Sequence, residues 1–272
     1  MKALMVIPAR QGSRRLKDKN IRFLGTKPLI WWSMETAVEA AILLKESNIE
    51  SKIIVSTDSP EYQRIANDFG KLEQWLSGKR LQAAPFLRPA EISKDVDTGL
   101  VCRHAWEYAR DEMSFEADWV ITLQPTSPFR DYDNIVYMLH IAVNSADKPN
   151  LTYPCVFSVK PVTEFPRWMF TVKDHEEGLK SMNYPTWKDF AKPAFKQRED
   201  VSLSGDIAQD QPKLYIPNGS VYITRKDIIQ QGRIYGDYNG AYIMEEPWKN
   251  VDIEEEIDFR WAEFLLKEGY VK

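Results

Sequence analysis

Lys2-Ala3-Leu4-Met5-Val6-Ile7-Pro8-Ala9 runs directly into Arg10-Gln11-Gly12-Ser13-Arg14-Arg15-Leu16-Lys17-Asp18-Lys19-Asn20. The first part is apolar and has the length of a strand buried on both faces. The second is a polar, basic loop, with Pro8 and Gly12 marking the break. A buried first strand ending in such a loop predicts an open α/β sheet, whose ligands sit at the carboxyl ends of the strands. Gly12 and Ser13 let backbone N–H groups approach an anion. Arg10, Arg14, Arg15, Lys17 and Lys19 supply charge for several phosphates at once. No G-x-x-x-x-G-K-[ST] occurs, so a nucleoside triphosphate here would be held without a Walker-type lysine. The competing reading is a solvated basic loop after an edge strand.

Outward from this stretch, short apolar runs alternate with helical patterns. Pro28 opens a helix toward Lys45, with Leu29, Trp32, Thr36 and Leu43 on one face. Ile53 to Ser56 is a second strand. Ser59 is an N-cap before Pro60, and Tyr62, Ile65, Ala66 and Phe69 form a stripe that Gly70 closes. Residues 71–85 carry no clear period and are expected to be an insertion or a loose helix. Asp97 or Thr98 starts a helix that turns Val101, Ala105, Tyr108 and Ala109 inward. Trp119 to Leu123 is a further buried strand, and Asp131 or Asp133 caps a helix to about Val143. Tyr153 to Val159 is a strand, and Asn218-Gly219 is a turn signal before a strand over Ser220 to Thr224. Ala241 to Met244 is a last strand. A C-terminal helix from Glu255 places Ile257, Trp261, Phe264 and Leu265 on one face. The β-α-β-α order predicts a mostly parallel, Rossmann-like α/β sheet. Residues 161–217, rich in Pro, Lys, Asp and aromatics, break the pattern. They predict a lobe inserted into a core made of residues 1–160 and 218–272.

With 272 residues, 43% hydrophobic and 28% charged, the chain has the composition of a soluble globular protein with an ample core. The formal net charge of −4 makes the basic loop a local feature and argues against generic nucleic-acid binding. Cys102 and Cys155 are too few for a disulfide framework, and the three histidines, His104, His140 and His175, lack a zinc spacing. Arg10 interrupts the N-terminal apolar run too early for a signal peptide, and no apolar run has membrane-spanning length. A cytoplasmic protein with no membrane or nucleic-acid partner is expected.

Four segments fall at predicted strand ends: 10–20, 57–59, 124–130 and 250–254. In an open sheet they share one edge and can line one crevice. Within Leu123-Gln124-Pro125-Thr126-Ser127-Pro128-Phe129-Arg130, the two prolines stiffen a loop. Gln124 can offer an amide to a base or sugar, and Arg130 can meet an anion. In Asn250-Val251-Asp252-Ile253-Glu254, an extended backbone puts Asp252 and Glu254 on the same face, where two carboxylates suit Mg2+. The alternative is a helix start made acidic by the macrodipole, which suits Glu255, Glu256 and Asp258.

Taken in order, these blocks resemble the cytidylyltransferases that activate sialic-acid-type nine-carbon sugars, the acylneuraminate cytidylyltransferase (CMP-sialic acid synthetase) family. Ile7 to Ser13 with Lys19-Asn20 resembles that family's nucleotide loop. Val55-Ser56-Thr57-Asp58, Leu87-Arg88-Pro89-Ala90-Glu91 with Asp95, Leu123 to Arg130, Asn218 to Ile223 and Val251 to Glu254 match further blocks. The resemblance implies a Rossmann-like core, a small lobe used in sugar binding and homodimerisation, CTP and a nine-carbon sugar acid as substrates, and Mg2+. It implies Arg10, Lys19 and Asp252 as catalytic. Arg10, Gly12, Ser13, Arg14, Lys19, Asn20, Arg88 and Thr98 would bind the nucleotide, and Gln124, Thr126 and Arg130 the sugar. Asp252 and Glu254 would hold the metal. Four departures stand out. Arg14-Arg15 replaces the family's Lys-Gly, and Lys17 replaces a Pro. Glu254 replaces an Asp. Ala208 to Pro212 lacks a basic stretch that lies near the sugar in the family. Enzymes acting on Kdo or amino-Kdo, and a non-catalytic nucleotide-sugar-binding homologue, remain as alternatives at this point.

Overall fold

A computed structural model describes residues 1–77, 83–93, 96–146, 153–162, 170–172, 179–181 and 213–271. Its central sheet has six strands: β1 (Lys2–Pro8), β4 (Glu50–Ser56), β5 (Trp119–Leu123), β6 (Cys155–Pro161), β9 (Tyr215–Arg225) and β10 (Asn239–Ile243). Their order across the sheet is β10-β6-β9-β5-β1-β4. β1 pairs in parallel with both β4 and β5, with Met5 beside Ile53 and Ile121, and β10 runs parallel to β6. β9 is antiparallel to β5, so the sheet is mostly but not wholly parallel. A short hairpin of β2 (Phe23–Leu24) and β3 (Lys27–Pro28) leads into the first helix.

β1 and β5 are covered on both faces, which is why they read as continuous, mainly apolar runs rather than alternating ones. One face packs on α1 (Leu29–Glu46), α2 (Pro60–Ser77) and α4 (Tyr132–Ala146), through Met5, Ile7, Ile121, Met34, Tyr62 and Met138. The other packs on α3 (Thr98–Glu112) and α5 (Lys226–Gln230), through Leu4, Val6, Val120, Cys102, Trp106 and Ile229. Each fully buried side chain of this size contributes about 1.5–3 kcal/mol. α3 approaches α5 closely at Gly99, where a Cβ would lie 2.1 Å from the Gly232 carbonyl oxygen. A third, smaller cluster joins Leu16, Leu24, Leu29, Phe129, Val251 and Ile253 to α6 (Glu256–Lys267).

Local capping signals hold. The Ser59 hydroxyl accepts from the Tyr62 N–H at 3.4 Å, and Asp97 accepts from the Gly99 N–H at 2.7 Å. Elsewhere tertiary packing overrides local pattern. Gly70 does not end α2, which runs on to Ser77. After residues 78–82, which lie outside the described set, Ala83 and Ala84 are buried beside β4, where the Val55 N–H donates to the Ala83 carbonyl at 2.6 Å. In α1 Leu29 and Thr36 are buried as expected, together with Ile30, Met34, Ala37, Ala40 and Leu44, whereas Trp32 and Leu43 are only half-buried. Asn218-Gly219 is not a turn between strands: β9 continues through it. In α6 the buried face is Phe259, Ala262 and Leu265, while Ile257, Trp261 and Phe264 are exposed.

Met1–Lys160 with Pro217–Lys272 form one unit of the chain, and Pro161–Ile216 a second. Within the second, β7 (Phe170–Val172) pairs antiparallel with β8 (Leu179–Ser181). Asp95, His175 and Ala208 to Pro212 lie outside the described residues. No helix among the described residues is long and apolar enough to cross a membrane.

Candidate active site

The site is built where β1, β4 and β5 end. The Ala9 N–H donates to the Ser56 carbonyl at 2.9 Å, carrying the β1–β4 pairing one residue past the strands. The chain then turns at Gly12, whose φ of +77° is a left-handed conformation that L side chains resist. The Gln11 N–H donates to Asp58 Oδ1 at 2.8 Å, and Asn20 Nδ2 donates to the Arg10 carbonyl at 3.0 Å. These two bonds tie the loop to the end of β4 and close it on itself. Asp18 holds a left-handed φ of 50° and accepts from the Tyr62 hydroxyl at 3.4 Å. Burial pushes the Tyr62 pKa up, with the Asp18 charge adding to it. Lys19 and Asn20 are buried, Ser13 and Arg10 are half-buried, and Gly12 and Arg14 are exposed.

The 124–130 segment is braced from beneath. Arg130 is 3% exposed. Its guanidinium donates to Ser33 Oγ at 2.7 Å, to Ser220 Oγ at 3.3 Å and to the Gln124 carbonyl. Burial pulls its pKa down to about 9, opposed by the charge of Asp252, so it stays protonated at neutral pH. Its donors are therefore spent inside the protein, on the loop that carries Gln124. Arg88 is similar: it is buried, donating through Nη2 to the Ser56 carbonyl at 2.5 Å and through Nε to Ser56 Oγ at 3.2 Å. Burial lowers its pKa while Asp58 opposes the shift. Thr98 is the first residue of α3 and half-buried.

Gly219 explains the strand that ignores its turn signal. At φ +78° it kinks β9 toward the site. A Cβ there would lie 3.3 Å from Gln124 Oε1, 3.4 Å from Ser127 Oγ and 3.6 Å from Asp252 Oδ2. The neighbouring Asn218 is a hub. Its Oδ1 accepts from Ser158 Oγ at 2.6 Å and from the Ser220 N–H at 3.1 Å, and its Nδ2 donates to Asn250 Oδ1 at 2.7 Å. This fixes the start of the 250–254 segment against β9.

That segment is extended without being a strand. Val251 and Ile253 are buried in the small cluster, and the Ile253 N–H donates to the Thr126 carbonyl at 2.8 Å. The alternation leaves Asp252 and Glu254 on the other side. Neither serves the helix start. Asp258 Oδ2 accepts from the Glu254 and Glu255 N–H groups at 2.9 and 2.8 Å, and Glu256 pairs with Arg22. Burial raises the Asp252 pKa, the Glu254 charge adds to it, and Thr126, Lys19 and Lys160 oppose it. The Thr126 hydroxyl lies beside Asp252 without a hydrogen bond of good geometry: Thr126 Oγ1 and Asp252 Oδ1 are both buried and unpartnered. Glu254 is engaged instead, its Oε2 lying 2.8 Å from Arg15 Nη2 and 3.1 Å from Lys19 Nζ.

One contributor escaped sequence reasoning. Lys160, at the end of β6, acts on Asp252 from the side opposite the basic loop. It shares a strand face with Ser158, two residues earlier, and only knowledge of the sheet order could have found it. Arg15 was counted among the loop charges, but its pairing with Glu254 spans 239 residues. Cys102 is no nucleophile: it is fully buried, its Sγ lies 3.1 Å from Thr122 Oγ1, and burial pushes its pKa up to about 12.

A divalent cation is implied by the resemblance, and the donor set fits one. Asp252 offers an unpartnered, buried carboxylate oxygen, and Glu254 adds a second hard oxygen donor. No group of three or more His, Cys, Asp or Glu assembles among the described residues. One or two carboxylates completed by phosphate oxygens and water is the arrangement Mg2+ prefers.

Comparison with known proteins identifies relatives of the chain. A family model described as cytidylyltransferase matches residues 4–139. The chain is 28% identical to the CMP-N,N'-diacetyllegionaminic acid synthase of Legionella pneumophila, over 98% of this chain and 97% of that one. It is 29% identical to the N-acylneuraminate cytidylyltransferase of Escherichia coli O18:K1:H7, over 96% of this chain, and spans about half (51%) of that relative. The structure of a CMP:2-keto-3-deoxy-manno-octonic acid synthetase complexed with CTP superposes with a TM-score of 0.58 at 18% identity, covering 99% of this chain and 100% of that one. At that identity the likeness speaks for the fold alone.

Proposed function

The chain belongs to the cytidylyltransferase family, and from that premise we propose that it activates a sialic-acid-like 2-keto-3-deoxy sugar acid with CTP, giving a CMP-sugar and pyrophosphate. The observation that carries the reading is one convergence. Glu254 meets Arg15 and Lys19 of the basic loop at 2.8 and 3.1 Å across more than 230 residues, and Asp252, two residues before it, comes to Gly219 together with Gln124. The near-full-length likeness to a CMP-N,N'-diacetyllegionaminic acid synthase supports the acceptor class.

In this mechanism the anomeric hydroxyl of the sugar acid attacks the α-phosphorus of CTP and pyrophosphate leaves. Arg10, Ser13, Arg14 and Lys19, with the N–H groups around Gly12, hold the phosphates and stabilise the charge that builds on the leaving pyrophosphate. Asn20 closes the loop through Arg10 and, with Arg88 and Thr98, stands on the cytidine side. Gln124 and Thr126 face the acceptor, and Arg130 sets the height of Gln124 by holding its carbonyl. Lys160, across Asp252 from the loop, offers a cation to the carboxylate of the sugar acid. Asp252 and Glu254 would hold Mg2+, which neutralises phosphate charge when bound. Catalysis is mainly positioning and electrostatics, as in other phosphoryl transfers. By the same resemblance, sugar binding and homodimerisation are assigned to the lobe over 161–217, in a cytoplasmic protein.

The test is pyrophosphate release with CTP, MgCl2 and a panel of acids: N-acetylneuraminate, legionaminate, pseudaminate, Kdo and amino-Kdo, with ATP, GTP and UTP as nucleotide controls. Release with a nonulosonic acid and CTP alone is expected. Release with Kdo alone would move the substrate to the eight-carbon acids. No release with any acid, despite thermal stabilisation by CTP, would point to a binding protein.

A further inference from the structure

Glu254 stands where the resemblance places a metal ligand, yet its carboxylate is already occupied. Oε2 meets Arg15 Nη2 at 2.8 Å and Lys19 Nζ at 3.1 Å. Lys19 is 6% exposed, and Glu254 is its only ion-pair partner among the described residues. A buried ammonium needs such a partner, because water cannot solvate it. Arg15, with its side chain 62% exposed, is held only loosely. Among the described residues no other group claims the Glu254 carboxylate, since the helix cap is supplied by Asp258. Its neighbour Asp252, on the same side of the extended segment, is left with an unpartnered oxygen. The two carboxylates are thus in different states: one neutralised by the nucleotide loop, one waiting.

We propose that Glu254 is a positioning residue that stands in for phosphate in the nucleotide-free chain. It holds Lys19 and Arg15 in place and releases them to the phosphates when a nucleoside triphosphate binds. This rests on the nucleotide-site reading above. A triphosphate oxygen offers the same charge and accepts the same charge-assisted bonds as a carboxylate, so the exchange keeps both cations paired. It also leaves Glu254 unpaired beside Asp252. Two carboxylates that repel each other then favour a divalent cation, so nucleotide and cation binding reinforce one another. The longer arm of Glu than of Asp is what reaches both cations.

The experiment is calorimetric titration of CTP into the protein, in EDTA and in MgCl2, for the wild type, E254Q, K19M, the E254Q/K19M double variant and E254D, with folding checked by circular dichroism. In EDTA, E254Q is expected to bind CTP about 3- to 10-fold more tightly than the wild type, the size of a partly buried ion pair. That gain disappears in the K19M background, whereas simple removal of a negative charge would give it in either background. The factor by which MgCl2 tightens CTP binding shrinks in E254Q. E254D, too short to span both cations, matches E254Q in EDTA but keeps its response to MgCl2. An E254Q affinity in EDTA within twofold of the wild type, a gain that survives K19M, or an E254D indistinguishable from the wild type in EDTA each overturns the exchange. Failure of the wild type to bind CTP in either buffer overturns the nucleotide site itself, and the exchange with it.

Discussion

Replacing Asp252 by Asn should make the protein more stable and nearly inactive. Asp252 Oδ1 is buried without a hydrogen-bond partner, and so is the nearby Thr126 Oγ1. A buried unsatisfied polar atom costs about 1–3 kcal/mol. The amide of Asn removes a charge that burial disfavours, and its Nδ2 can donate to the Thr126 hydroxyl. The hydroxyl of Thr126 and the charges of Lys19 and Lys160, which favour the ionised carboxylate, subtract from the gain. A net stabilisation of about 1–2 kcal/mol follows, or about 2–8 °C in Tm at the 2–4 °C per kcal/mol typical of chains near this size. Turnover should fall at least 100-fold, the order seen when one preorganised electrostatic group is removed from an active site. Scanning fluorimetry and pyrophosphate release on the same preparations measure both effects. MgCl2 should raise the Tm of the wild type in the presence of CTP and leave the variant's unchanged. A lower Tm in Asp252→Asn would show that the carboxylate is satisfied in the fold. Near-normal turnover would remove Asp252 from the mechanism.

Four further outcomes are expected. Gly219→Ala forces a side chain into φ +78° and sets a methyl 3.3 Å from Gln124 Oε1; a loss of about 1–2 kcal/mol in urea unfolding, with a raised KM for the sugar acid, checks it. Arg130→Met leaves the Gln124 carbonyl and the Ser33 and Ser220 hydroxyls without their buried donor, so denaturant unfolding should show a loss of about 2–4 kcal/mol. Lys160→Met should raise KM for the sugar acid about 10-fold or more while KM for CTP stays unchanged; a shift in the CTP value instead would assign Lys160 to the phosphates. His104 supplies a pH signature. Burial lowers its pKa, the Glu107 charge opposing this and Arg88 adding to it, and Nδ1 is unpartnered. The unfolded chain therefore binds this proton more readily than the native one. Stability is full above the unfolded value of about 6.5 and declines as pH falls from there to the lowered native pKa. His104→Leu should flatten that part of the Tm–pH curve, and an unchanged slope would refute the assignment.

What the sequence determined by itself was everything set by near neighbours. The continuous, mainly apolar runs of β1 and β5, the Ser59 and Asp97 caps and the Gly12 turn depend on residues a few positions apart, and all are legible as patterns. So is the alternation that sends Asp252 and Glu254 away from buried Val251 and Ile253. Tertiary structure decided whatever depends on which face a distant element covers. α6 offers two apolar stripes, and the cluster around Leu24 and Phe129 chose Phe259, Ala262 and Leu265 over Ile257, Trp261 and Phe264. Asn218-Gly219 is a turn in isolation, but pairing of Val221 to Arg225 with β5 keeps it in a strand and uses the glycine to approach Gln124. Arg130, legible as an anion contact, is turned inward by Ser33 and Ser220, from elements 97 and 90 residues away. The same holds for Glu254: its acidity is written in the chain, but its engagement with Lys19 and Arg15 exists only because the sheet brings the first loop and the last extended segment to one edge. Short-range periodicity carries no information about contacts at that separation, which are selected by the packing of the whole core.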